Sequence, residues 1–285
     1  MSSNAALQKA KWLYRAEKAG HTGTLDPLAS GLLPLCFGEA TKFAQRLLDA
    51  RKGYRATFRF GVTTTTGDAE GDIRQTRPVG ITLEALQSAL AQRLGAQMQT
   101  PPLYAALKFE GRAYYEHARA GRDVPRTPRP IVVHAFDLVE WRTPDAVIDI
   151  ACSKGTYVRV LAEDVGEALG CGAHLAALRR TATGGFNLDD AVPLEALAAM
   201  SEVERDQLLL PSSCLVTDLP RLCVDADAGR RFRNGQALPA AQCADGDCAV
   251  FAGPALLGLA EVQAGVAHPR RVVSSRLAEN TVFGL

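Results

Sequence analysis

Helices interleaved with strands that alternate on a period of two predict an α+β protein. We expect a mixed, largely antiparallel sheet with flanking helices, followed by a small C-terminal β-barrel. Three observations carry this expectation. Tyr54, Ala56, Phe58 and Phe60 alternate with Arg55, Thr57 and Arg59, the pattern of a half-buried antiparallel strand. Two β-branched, apolar runs, Ile131–Trp141 and Ala146–Cys152, meet near Pro144 as paired strands. From about Leu219 the texture changes to short alternating segments separated by Gly, Pro and Asp.

Taken in order, residues 4–19 read as a helix, with Ser3 or Asn4 as cap, Leu7, Ala10 and Tyr14 on one face and Gly20 as its stop. Gly20 to Gly31 is a loop, because three glycines, a proline and two threonines crowd into it. Val62 to Asp72, rich in Thr and Gly, is a turn that Asp68 caps or stiffens. Thr82 to Leu94 is a helix with Leu83, Leu86, Leu90 and Leu94 as its core stripe and Gly95 as its stop. The proline-rich VPRTPRP cannot sit inside an element. After a tight turn at Ser153–Gly155, a helix begins near Tyr157 and Arg159 and carries Val158, Leu161, Val165 and Leu169 inward. His174 to Arg180 is a strand or short helix, with Leu178 apolar beside Arg179 and Arg180. Asp190 to Met200 is a helix with Pro193 in its first turn. The charged SEVERDQ followed by PSS marks a boundary, dividing the chain into domains 1–213 and 214–285. Strands at Val224, Phe232, Ala249–Ala252, Leu256–Val262 and Arg271–Val273 give the second domain the size of an OB or PUA barrel.

With 285 residues and 47% hydrophobic content, the chain can bury a substantial core. No apolar stretch approaches the roughly 20 residues of a membrane helix. No basic, apolar leader is evident, so the cytoplasm is the expected compartment. Seven cysteines, an odd number, fit free thiols in a reducing compartment, and none shows the paired spacing of a zinc site. No metal is expected. The net charge of +1 does not by itself announce a nucleic-acid binder. Between Pro102 and Pro130, however, Lys108, Arg112, Arg119, Arg122, Arg126 and Arg129 interleave with Tyr104, Phe109, Tyr114 and Tyr115. That mixture suits phosphates and splayed bases, or an ordinary solvated surface.

One charged side chain stands out in the Gly20–Gly31 loop. Asp26 lies between Leu25 and Pro27, ahead of the apolar run Leu32, Leu33, Leu35 and Phe37. A carboxylate on an anchored loop beside apolar walls serves nucleophilic or acid–base chemistry, although an Asp before Pro is more often an Asx-turn or helix cap. Arg159 at a helix start opposes the helix dipole, so it either meets an anion or pairs with Glu163 one turn on.

The string GHTGTLDPLASGLLPLCFGEATK, from Gly20 to Lys42, resembles the catalytic motif of the TruB family, the tRNA pseudouridine-55 synthases. The resemblance continues through YRATFRFGVTTTTGDAEGDI, PPLYAALKFEGRAYYEHARAG and CSKGTYVRVLAEDVGEALGCGAHLAALRRTATG, covering most of residues 2–190. It implies the pseudouridine synthase fold with a PUA-like terminal domain, and isomerisation of the T-loop uridine at tRNA position 55. It further implies Asp26 as nucleophile, Arg159 keeping that carboxylate ionised, and Tyr54 as acceptor of the proton from C5 of the base. His21 would brace the space vacated by the flipped base, while Tyr54, Tyr157 and Leu178 wall the uracil. Residues 102–130 align with the family's flexible thumb, where Lys108, Arg112 and Arg119 would contact phosphates. No cofactor and no obligate protein partner are implied; the expected partner is the T arm of tRNA and the expected state a monomer. Lys42 is read as a surface or phosphate-facing charge. Two other functions fit the same residues: an RNA-folding module without turnover, and a synthase that depends on guide-RNA proteins. The family carries an edge strand and a Lys-Pro turn ahead of the Ser2-Ser3-Asn4 stretch. A start assigned too far downstream is therefore expected, and intact mass of the native protein tests it.

Overall fold

The computed structural model describes residues 1–274 and the short strand Val282–Phe283, and its chain forms two compact units. One comprises Leu25–Leu32 and Asp49–Asp189; the other comprises Met1–Thr24, Leu33–Leu48 and Asp190–Leu285. The segments Met1–Thr24 and Leu33–Leu48 thus group with the C-terminal strands, which a single cut at 213/214 does not convey.

The first unit is built on a sheet whose neighbours run Phe186–Asn187, Ala173–Thr183, Lys52–Phe60, Asp145–Cys152, Arg129–Arg142 and Gly95–Gln99. Every one of these pairings is antiparallel. A seventh piece, Ser30–Gly31, lies parallel to Arg179–Arg180. The two-residue period holds: Ala56, Phe58 and Phe60 are buried on the central strand, as are Ala146, Ile148, Ile150 and Cys152 on its neighbour. On the same strand pair, Arg55 and Arg59 each grip a cross-strand carboxylate, Asp149 and Asp145, with two hydrogen bonds of 2.6 to 2.8 Å. These exposed pairs favour the register more than they stabilise the fold.

Two helices, Leu83–Ala91 and Val158–Ala168, pack into the main core through Leu86, Leu90, Leu161 and Val165. The expected stripe of the first is half right. Its helix, capped by Thr82, ends at Ala91, so Leu83 and Leu94 are exposed and Ala89 joins the core instead. Gly95 does more than stop it, since a strand missed in the sequence, Gly95–Gln99, begins there and pairs with Arg129–Val133. His174 to Arg180 is resolved as part of an eleven-residue strand rather than a helix.

In the second unit the first helix spans Ser3–Leu13 and is capped by Ser2, whose side chain accepts from Ala5 N–H. It stops well before Gly20, at Tyr14, followed by Arg15 with φ of 47°. Gly20 instead lies in a strand, Ala19–His21, that pairs with Leu35–Phe37. The Lys42 amine donates to Glu39 and to the carbonyl of Val272 at 2.8 Å. The C-terminal sheet runs Arg221–Cys223, Gly246–Ala252, Ala255–Gln263, Val266–Val272 and Leu238–Pro239, an open half-barrel that fits a PUA-like module. Phe232, expected in a strand, sits on the helix Ala226–Arg233, where Asp225 caps the N-terminus and Phe232 fills the core with Leu222, Val250 and Leu257. The last residues of the expected C-terminal domain fall outside the described ones.

All seven cysteines are free. No helix among the described residues is long and apolar enough to cross a membrane.

Candidate active site

Asp26 is the second residue of the segment Leu25–Leu32, which belongs to the first compact unit. A turn closes behind it, Ala29 N–H donating to the Asp26 carbonyl at 2.8 Å. The segment is then fastened at its far end. Leu32 N–H donates to the Arg180 carbonyl at 2.9 Å, and the Arg180 Nε donates back to the Leu32 carbonyl at 2.7 Å. Gly31 between them has φ of 98°, and a Cβ there would lie 2.3 Å from the Arg180 carbonyl oxygen. Only glycine permits that approach.

The Asp26 carboxylate faces a guanidinium. Arg159 Nη2 lies 3.0 Å from Asp26 Oδ2, and Arg159 Nη1 lies 3.4 Å from Asp68 Oδ2. The same guanidinium donates to the carbonyls of Thr66 at 3.2 Å and Tyr104 at 2.9 Å. Its side chain is only 5% exposed, as is that of Asp68, while Asp26 is 41% exposed and open to a ligand. Among the described residues Arg159 makes no ion pair with Glu163, so meeting an anion is the alternative the fold realises. Burial raises the Asp26 carboxyl above the usual 3.8; the Arg159 charge opposes this and the Asp68 charge adds to it. The guanidinium therefore offsets desolvation only in part.

Asp68 was read from the sequence as a turn residue, and it is one: its carboxylate accepts from Thr66 Oγ1 and from Glu70 N–H. Its second oxygen is what the sequence did not disclose, because pairing with Arg159 links residues 91 positions apart and leaves no local pattern. Gln99 was missed for the same reason. Nearly buried, it accepts from Tyr157 N–H at 2.8 Å and donates to the Tyr157 carbonyl at 3.1 Å, fixing the residue that caps the Arg159 helix.

Tyr54 occupies the central strand and packs against the main core, which includes Leu178 and against which Leu28 also packs. Burial pushes its hydroxyl up to about 12, Asp26 adding to the rise and a hydrogen bond with Arg180 opposing it. Tyr157 is also raised by burial first and then by the Asp26 charge. The fold thus gathers Asp26, Arg159, Tyr54 and Tyr157 into one electrostatic neighbourhood, with Leu178 in the apolar cluster that holds Tyr54. His21 belongs to the other compact unit, half-buried on its strand opposite Leu35.

Lys108 and Arg112 stand exposed on a small hairpin, Lys108–Phe109 with Arg112–Ala113, and Arg119 ends the helix Tyr114–Arg119 that follows. The Arg119 guanidinium covers the Tyr115 ring at 5.6 Å. This excursion has its own small core of Ala105, Tyr114 and Val124, against which Tyr157 packs. Among the described residues no His, Cys, Asp and Glu side chains cluster as metal ligands.

Three family profiles match nearly end to end. That of the TruB family pseudouridylate synthase N-terminal domain covers residues 11–158, that of the tRNA pseudouridylate synthase B C-terminal domain residues 159–217, and that of the pseudouridine synthase II TruB C-terminal region residues 220–273. The chain is 52% identical over 276 residues to the tRNA pseudouridine synthase B of Thiobacillus denitrificans, covering 96% of this chain and 93% of that one. It is 50% identical over 283 residues to the protein of the same name from Ralstonia nicotianae, covering 95% and 90%. Among solved structures it is similar to a chain of a Cbf5-Nop10-Gar1 complex, with a TM-score of 0.74, 24% identity, and coverage of 99% and 84%. A chain of an archaeal box H/ACA sRNP Nop10-Cbf5 complex matches with a TM-score of 0.72 and 23% identity over 95% and 82%. At that identity these two bear on the fold alone.

Proposed function

Because the chain belongs to the TruB family of pseudouridylate synthases, we propose that it isomerises the T-loop uridine at tRNA position 55 to pseudouridine. The observation that carries the reading is the Asp26–Arg159 pair, a half-exposed carboxylate at 3.0 Å from a buried guanidinium. The target base is flipped from its stack, at a cost of a few kcal/mol, into a pocket walled by Tyr54, Tyr157 and Leu178, and His21 braces the space it leaves. Asp26 acts as nucleophile on the ribose as the C–N glycosidic bond breaks; the detached uracil turns, its C5 forms the new bond to the sugar as the Asp26 carboxylate is released, and N1 takes up a proton from solvent. Arg159 keeps the carboxylate oriented and favours its ionised form. Tyr54 takes the proton leaving C5, its own hydroxyl proton passing to solvent.

Lys108, Arg112 and Arg119 contact phosphates of the T arm, and the domain beginning at 214 docks RNA beyond it. The chain works in the cytoplasm as a monomer, without cofactor, metal or obligate protein partner. Tritium release from C5-labelled uridine in tRNA tests the assignment. The wild-type chain releases the label and Asp26→Asn does not; equal release by both would remove Asp26 from the mechanism.

A further inference from the structure

Arg180 is among the largest fully buried side chains, 1% exposed, and no part of the reading above gives it work. It lies opposite Tyr54 on the strand pair Ala173–Thr183 and Lys52–Phe60, and opposite Gly31 in the parallel bridge to the Asp26 segment. Its Nε holds the Leu32 carbonyl at 2.7 Å, and its guanidinium shares a hydrogen bond with the Tyr54 hydroxyl. Burial disfavours its charge, and the Tyr54 oxygen is the group that opposes this. Lys52 lies in the same neighbourhood: burial first, and then the charge of Arg180, lower its amine to about 8, with the Asp49 charge opposing this.

From this geometry we propose that Arg180 is a positioning residue acting through Tyr54, holding the proton acceptor and the Asp26 segment to one rigid guanidinium. The inference rests on the reading of Tyr54 as acceptor of the C5 proton. A donor on the phenolic oxygen fixes the direction of the oxygen's remaining lone pair and favours negative charge there as the hydroxyl proton departs. The planar fork reaches the Tyr54 oxygen and the Leu32 carbonyl together. Lysine, with one nitrogen on a flexible stem, does not hold that fork geometry.

The test is single-turnover isomerisation of a T-arm hairpin carrying protium or deuterium at C5, with wild type, Arg180→Lys, Tyr54→Phe and the double variant. Arg180→Lys should slow the reaction by up to about a hundredfold, the order of loss that a misplacement of about 1 Å causes. RNA affinity should stay unchanged and the C5 isotope effect should rise as it does in Tyr54→Phe. The double variant should be no slower than Tyr54→Phe alone, because both changes remove one device. An unaltered isotope effect, or losses that multiply, would overturn the proposal and leave Arg180 a structural cation. Should Arg180→Lys fail to fold, Arg180→Gln spares the fold a buried charge and must give the same isotope signature. Wild-type silence on the hairpin would overturn the parent reading, whereas wild-type turnover with an unchanged isotope effect in the Arg180 variants overturns this inference alone.

Discussion

Adding one methyl group at Gly31 should unfasten the candidate nucleophile from the sheet. The built Cβ of Gly31→Ala meets the Arg180 carbonyl oxygen at 2.3 Å, its nitrogen at 2.9 Å and the Arg179 side chain at 3.1 Å, and two of those three neighbours are backbone. Rotation of a side chain cannot relieve the clash, so Ser30–Gly31 must withdraw from Arg179–Arg180. Holding an alanine at φ of 98° costs about 1–2 kcal/mol. Withdrawal gives up the Leu32 N–H bond to Arg180, worth about 1 kcal/mol, and the charged bond from Arg180 Nε to Leu32, worth about 1.5–3 kcal/mol. The sum is roughly 3–6 kcal/mol, enough to lower the melting temperature by about 10 °C in a chain of this size. Scanning calorimetry measures it, with turnover assayed below the lowered midpoint, where Asp26 should still be misplaced and activity largely lost. A variant melting within about 2 °C of wild type, with normal turnover, would refute the argument that this close approach anchors the loop.

Further outcomes follow from the same geometry. Arg159→Met strands Asp68, 5% exposed, as an uncompensated buried charge and should cost about 3–5 kcal/mol in urea denaturation. Adding Asp68→Asn should recover part of that stability but none of the turnover. Since burial raises the Asp26 carboxyl above 3.8 and turnover needs the carboxylate, the acid limb of the kcat/KM profile should fall above pH 3.8. By linkage, a raised folded-state value means that ionising Asp26 removes stability as pH climbs from 3.8 through the raised value. Asp26→Asn should lack that decline when the two stability profiles are subtracted. Replacing Lys108, Arg112 and Arg119 together by Gln should flatten the salt dependence of tRNA affinity, and an unchanged slope would place the phosphate contacts elsewhere.

Much of the fold is written in local periodicity. The alternation from Tyr54 to Phe60 becomes the central strand of the sheet because a two-residue period has one way to bury Ala56, Phe58 and Phe60 together. Helix ends proved less legible: Gly20 and Gly95 are good stop residues, yet the chain stopped earlier and used both in strands. Phe232 looked like part of a short strand, and the cap at Asp225 with burial on a helical face decided otherwise.

The candidate site divides in the same way. By itself the sequence marked Asp26, Tyr54, Tyr157, Arg159 and Leu178, through ordered motifs and residue chemistry that need no coordinates. Only the tertiary structure decided what surrounds them. Asp68, Gln99 and Arg180 each act on a residue at least 58 positions away, Arg180 meeting Tyr54 across a strand pair. Such contacts arise when the sheet and its covering helix close, and no spacing rule within a segment encodes them. Arg159 shows the physical reason most directly. Its charge is legible in one letter, but four acceptors drawn from Asp26, Thr66, Asp68 and Tyr104 make its burial tolerable, and only folding assembles them.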